Sequence, residues 1–185
     1  MSGGARRRRI WLAVMALCAL LAPWMGAVYY PWPYRGYFLQ AAARYRLSPY
    51  LLAAVARSES RFDPTARSRR GAVGVMQVMP ATGGYLTHQD AGQAAMTLRS
   101  PEVSIDVGAH YLGILRSEFA SSVGALAAYN GGDASVRQWI GAGLWHPGMP
   151  LGKIPFPETS DFVQRVLRDA SWYAYLYPGL PGENR

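Results

Sequence analysis

The stretch Leu51–Pro64, LLAAVARSESRFDP, holds one residue that packing alone does not explain. Read with a helical period, Leu52, Val55, Glu59 and Phe62 fall on one stripe, and Arg57 and Arg61 fall off it. A carboxylate on an apolar face is costly unless it is paired or neutralised. Glu59 also lies in the last turn of its helix, where the macrodipole presents partial negative charge. Both surroundings raise a carboxyl pKa. An acid that keeps its proton near neutral pH suits general-acid cleavage of a glycosidic bond. The structural alternative is that Glu59 caps the helix end or pairs with Arg67 or Arg70.

Three other clusters carry polar chemistry. Residues 67–79, RSRRGAVGVMQVM, hold no helical period and read as a loop or short hairpin. There Gly71 and Gly74 permit tight turns or close backbone approach, and Gln77 can hydrogen-bond a ligand amide or hydroxyl. An ordinary hairpin turn uses the same residues. In ALAAYNGG, Tyr129 and Asn130 end an apolar helix. Tyrosine can line a sugar groove and asparagine can read an N-acetyl group, though a plain helix C-cap fits equally. In IPFPETSDFVQRVL, Glu158 opens a helix, where the dipole favours a carboxylate whether or not it has a further role. Asp63 suits the turn before Pro64 rather than a partnership with Glu59.

The elements that must position these residues are helical. Gly36–Leu47 reads as a helix. Ser48 as N-cap and Pro49 at the first position start the Glu59 helix, which stops before Asp63-Pro64. Ser100-Pro101 opens a helix bearing Val103, Val107, Tyr111, Leu115 and Phe119. Val123–Asn130 is a short apolar helix closed by Gly131-Gly132. Asp133 caps the next, whose Val136, Trp139 and Ile140 share a face. A last helix spans Phe162–Tyr177.

At the N-terminus Arg6–Arg9 precede 21 uncharged residues, Ile10–Tyr30, long enough to span a bilayer. Arginines before the span stay in the cytoplasm, so the rest of the chain is expected outside it, as a single-pass membrane protein. Tyr29, Tyr30, Trp32 and Tyr34 suit the outer interface. The alternative is a signal segment that is cleaved and a secreted domain, but the candidate cleavage positions are poor. The expected organisation is a basic cytoplasmic tail (1–9), an anchor or signal segment (10–30), a stiff linker (31–36) and one mainly α domain with a small glycine-rich loop or hairpin (37–180).

Composition excludes several classes. Half of the 185 residues are hydrophobic, which argues against disorder. The lone Cys18 forms no internal disulfide, and His88, His110 and His146 stand too far apart for a zinc set, so neither metal nor cofactor is expected. The net charge of +8 is concentrated in Arg6–Arg9, and the rest is only mildly basic. No nucleic-acid module is present, so nucleic-acid binding is not expected.

Taken in order, the motifs resemble those of the lytic transglycosylases with the soluble-type (SLT) catalytic domain, relatives of goose-type lysozyme. The residues that carry the resemblance are Glu59-Ser60, Ser68, Gly71-Ala72-Val73-Gly74-Val75-Met76-Gln77, Met79-Pro80-Ala81-Thr82, Ala128-Tyr129-Asn130 and Ile154-Pro155-Phe156-Pro157-Glu158-Thr159. The match runs roughly from Tyr37 to Tyr177. It implies a lysozyme-like, mainly α (α+β) fold and a monomer acting on peptidoglycan glycan strands. It implies cleavage of the β-1,4 bond between N-acetylmuramic acid and N-acetylglucosamine, with formation of a 1,6-anhydro end. Glu59 matches the catalytic glutamate, and Ser68 and Gln77 match binders of the muramoyl sugar. Met76, Tyr129 and Asn130 would line the groove. Phe162 stands where the family usually has a substrate-side tyrosine, Val75 where it has leucine, and Gly83 where it has alanine.

Overall fold

The computed structural model describes residues 7, 8, 10–16, 26 and 28–180. From Arg35 onward eight α-helices follow one another: α1 (Arg35–Tyr45), α2 (Pro49–Ser60), α3 (Pro80–Thr87), α4 (Ala91–Thr97), α5 (Pro101–Phe119), α6 (Ser122–Gly131), α7 (Asp133–Gly141) and α8 (Pro157–Leu176). A single 3-10 turn, Leu151–Lys153, precedes α8. The expected β component reduces to isolated antiparallel bridges, Arg67 with Val73 and Val73 with Val78, and no strand forms among the described residues. The bridges sit in a loop whose glycines and left-handed Gln77 keep turning the backbone away from a ladder.

The central pair is α2 against α8. Pro49 opens α2, and the Ser48 hydroxyl accepts the Leu51 N–H at 3.4 Å. Leu52 and Val55 are fully buried, as are Phe162, Val163 and Val166 of α8. Burying each such side chain favours folding by about 1.5–3 kcal/mol, so this seam holds the end of α2 in place. An ion pair crosses it. Arg57 Nε lies 3.3 Å from Oδ2 of the buried Asp169, and the Arg57 guanidinium sits 4.4 Å over the Tyr30 ring. Arg168 also reaches Asp169, at 3.1 Å. Asp169→Asn should therefore cost about 1–2 kcal/mol, because Arg57 loses its anion while staying largely packed. Urea unfolding at neutral pH measures this.

The linker is part of the folded unit. Trp32 is buried and its ring lies 5.3 Å from Tyr173 and 5.8 Å from Tyr50. Tyr30 donates to Asp169 Oδ1 at 3.2 Å, and Tyr173 donates to the Pro31 carbonyl at 2.8 Å. Tyr30, Trp32 and Tyr34, expected at a membrane interface, pack on the domain, and of the four only Tyr29 is largely exposed.

Of the expected Ile10–Tyr30 span, Ile10–Ala16 is helical and exposed, and residues 17–25 and 27 lie outside the described residues. Among the described residues no helix is long and apolar enough to cross a membrane. Cys18 also lies outside them. The described residues contain no metal-binding cluster.

Three details differ from the sequence reading. Helix α8 begins at Pro157, one residue before Glu158, which was expected to open it, and five before the expected Phe162–Tyr177 span. Asp133 does not cap α7: Gly132 holds the cap position, and Asp133, the first helical residue, pairs with Arg137 at 2.8 Å. Ile140 turns to solvent, away from buried Val136 and Trp139.

Candidate active site

The C-terminal end of α2, the glycine-rich loop, α5, the end of α6 and the start of α8 enclose a cleft of about 770 Å³. Glu59 lies in its wall, one residue before the end of α2. Burial pushes the Glu59 carboxyl from 4.5 up to about 7. The Arg165 cation works against this rise and the Glu158 carboxylate adds to it. Among the described residues no cation comes within ion-pair distance of Glu59, so the expected alternative of an arginine partner is not what the structure holds. The apolar stripe and the helix terminus thus leave one half-buried acid facing a cleft.

Neighbouring Ser60 fixes this helix end to the loop. Its hydroxyl donates to the Val75 carbonyl at 2.7 Å. The loop is then held by its own backbone. Val73 and Val78 exchange both hydrogen bonds, at 3.0 and 3.1 Å, and the Gly74 N–H reaches the Ala66 carbonyl at 3.0 Å. Gly74 adopts φ +80°, and a Cβ there would collide with the Leu98 carbonyl.

Gln77 has φ +48°, a left-handed conformation that non-glycine residues seldom take. Its amide nitrogen donates to two carbonyls, Ala66 at 3.0 Å and Gly74 at 2.9 Å. Carbonyls only accept, so this bonding fixes the amide orientation and leaves Oε1 as the acceptor available to the cleft. Ser68 is exposed at the rim, where its hydroxyl accepts the Ala72 N–H at 3.0 Å.

Tyr129 lines the cleft and donates to the Met76 carbonyl at 2.8 Å. Burial, with the negative charge of Glu59 next in weight, raises its pKa well above 10, so it remains a neutral donor. Tyr129→Phe should cost about 1–2 kcal/mol in chemical denaturation, because the Met76 carbonyl loses a partner. Asn130 is oriented by buried Thr159, whose hydroxyl donates to Asn130 Oδ1 at 2.9 Å. That bond leaves the Asn130 amide N–H groups as donors for a ligand carbonyl.

The structure brings Glu59, Ser68, Gln77, Tyr129 and Asn130 to one cleft. It does not bring Met76 or Phe162 there: their side chains are buried to 0% and 1% exposure and both belong to the core. Met76 contributes through its backbone instead. Its N–H reaches buried Ser104 Oγ at 3.1 Å while its carbonyl accepts Tyr129, which sets the peptide that carries Gln77. Phe162 packs beneath the site on the α2–α8 seam, so no tyrosine hydroxyl is presented from that position. Glu158, left open by the sequence, lines the cleft from the first turn of α8.

Several contributors were not singled out by the sequence. Tyr111 lines the cleft 5.4 Å from Tyr129, ring to ring. Its signal was present as the one hydroxyl-bearing ring on the apolar stripe of α5. Arg69 and Arg70 also line the cleft, whereas Ser104 and Thr159 act from behind it. Each of the last two pairs with a residue far away in sequence, which no local pattern reports.

Comparisons with known proteins place the fold that carries this cleft. A family model described as the transglycosylase SLT domain matches residues 36–146. The soluble lytic murein transglycosylase of Escherichia coli K12 is 31% identical over 162 residues, covering 82% of this chain and 24% of that protein. The membrane-bound lytic murein transglycosylase C of Yersinia pestis is 35% identical over 109 residues, 52% of this chain and 30% of that protein. The crystal structure of an inactive Glu-to-Gln mutant of lytic transglycosylase Slt from Pseudomonas aeruginosa superposes with a TM-score of 0.69 at 32% identity, covering 80% of this chain and 25% of that one. The chain thus spans 24–30% of the length of these relatives. A helical fold shared at that level, with a family match across the segment that holds the acid and its loop, places this chain in the SLT transglycosylase domain family.

Proposed function

We propose that this chain cleaves the β-1,4 bond between N-acetylmuramic acid and N-acetylglucosamine in peptidoglycan, without water, forming a 1,6-anhydro end. The observation that carries the proposal is Glu59, a carboxyl raised to about 7 in a sugar-sized cleft and lacking an ion-pair partner among the described residues. Protonated, it donates to the glycosidic oxygen. Once ionised, it takes the proton of the muramoyl C6 hydroxyl as that oxygen attacks C1. The nucleophile belongs to the substrate, so the step gains from proximity and needs no second carboxylate. Gln77 Oε1, Ser68 and the Asn130 amide supply polar contacts to the sugar. Tyr111 and Tyr129 supply flat surface. The apolar Ile10–Tyr30 segment anchors the domain outside the cytoplasmic membrane, facing the glycan strands.

Glu158 in the same cleft favours a second reading, a hydrolysing muramidase with Glu158 as base for water. Mass spectrometry of digested murein separates the two, since an anhydro end is one water lighter than a reducing end. The anhydro product is expected. Glu158→Gln separates them as well. Under the proposed mechanism cleavage persists, and its alkaline limb near pH 7 moves to lower pH, because a charge that raises the Glu59 pKa is gone. Under the hydrolytic reading cleavage is lost.

A further inference from the structure

Helix α8 has a second outward stripe that the cleft does not use. Arg168, Ser171, Trp172 and Tyr175 follow the i, i+3, i+4, i+7 spacing and border a shallow groove of about 510 Å³. Trp172 is 46% exposed and Tyr175 75%, and their rings meet edge to face at 5.9 Å. Arg168 is 61% exposed even while it bonds Asp169. Large exposed aromatics beside a cation mark an interaction surface.

The end of the apolar N-terminal segment lies against this stripe. A Cβ on Gly26 would collide with Leu176 in the last turn of α8. The Tyr30 N–H reaches the Gly26 carbonyl at 2.8 Å, and the Tyr30 ring stacks on Trp172 at 6.0 Å. Tyr29 and Val28 beside it are exposed. In a bilayer the headgroup layer on each face is about 5–8 Å deep. A chain that leaves the hydrocarbon near Gly26, where it meets Leu176, therefore holds Tyr30 and Trp172 within that layer. Tryptophan and tyrosine favour this zone, and an exposed arginine favours anionic headgroups.

We infer that Trp172, Tyr175 and Arg168 form a lipid-contact patch that seats the domain on the outer surface of the bilayer that holds its N-terminal segment. The inference rests on the anchored reading above and adds an orientation to it. The α8 C-terminal end lies at the headgroups, and the cleft, at the α8 N-terminal end, is held away from them.

The test uses the full chain with fluorotryptophan throughout, in nanodiscs of phosphatidylglycerol and phosphatidylethanolamine carrying a headgroup spin label. Trp172→Phe, which keeps an aromatic ring against Tyr30, identifies the Trp172 fluorine resonance. That resonance is expected to broaden at least threefold, while those of buried Trp139 and Trp145 stay sharp. An unbroadened Trp172 in a chain that remains in the bilayer through a carbonate wash would overturn the inference and leave the anchored reading standing. Release by the wash would overturn both. Broadening that follows protein density at fixed label content would give the patch to a second copy of the chain and overturn the lipid assignment.

Discussion

Glu59→Gln is expected to lower murein cleavage by about 10²–10⁴-fold, the usual contribution of a positioned general acid. Release of soluble muropeptides at pH 5.5 measures it, and activity within tenfold of the native chain would refute the role of Glu59. The same variant should be more stable than the native chain only above about pH 4.5, by a margin that grows until about pH 7. The folded carboxyl titrates near 7, above its ordinary value of 4.5. Below about pH 4 the group is protonated in both folded and unfolded chains, and the variant differs little. Between about 4.5 and 7 the unfolded chain ionises first and binds fewer protons, so native stability falls as pH rises. Above 7 the native chain carries a half-buried charge that the amide lacks. At pH 8 Glu59→Gln should therefore be more stable by about 1–3 kcal/mol, and at pH 4 nearly equal. Thermal unfolding at both pH values measures the crossover, and an equal shift at both would mean that the carboxyl is not raised.

Gly74→Ala should have the largest effect on folding, about 2–5 kcal/mol. Two costs combine there. The backbone at φ +80° is strained for any residue with a Cβ, and that Cβ would strike the Leu98 carbonyl and come within 2.8 Å of Ser104 Oγ. Gly71→Ala is the internal control. Its φ is +93°, but a Cβ there has nothing within 4 Å, so only the backbone strain of about 1–2 kcal/mol remains. Urea unfolding should rank Gly74→Ala well below Gly71→Ala. Cleavage should fall with it, because the Gly74 carbonyl holds the Gln77 amide. Equal costs at the two positions would mean that close approach to Leu98, at the end of α4, and to Ser104 of α5 does not constrain the loop.

Much of this fold was legible because its signals are local. The Ser48-Pro49 start follows from a side-chain cap and a first-position proline, the Ser100-Pro101 start of α5 from the proline alone, and the stop before Asp63-Pro64 from the restriction that proline puts on its predecessor. Glu59 stood out because a charge broke an apolar period. Helix α4 left only its cap, Asp90, whose side chain accepts the Gln93 N–H at 2.9 Å, and α3 little more than Met79-Pro80. Both are short, and α3 contains Gly83 and Gly84, which are poor helix formers. Those glycines are there for packing: a Cβ on Gly84 would lie 2.6 Å from the Gln89 carbonyl, and one on Gly83 3.0 Å from Leu98 Cδ1. Met76 and Phe162 went the other way. Motif position pointed to the groove, but a buried face and a lining face can alternate at single-residue spacing in a tight loop. Only the three-dimensional course of the backbone shows that Gln77 faces out and Met76 faces in.

Helix α8 is one unbroken rod with Glu158 in its first turn and Trp172 near its last. Fourteen residues at the helical rise make that about 21 Å. The rod therefore works as a ruler: if its far end lies at the headgroups, as proposed, Glu158 in the cleft wall stands no more than about 21 Å from them along this helix, whatever its tilt.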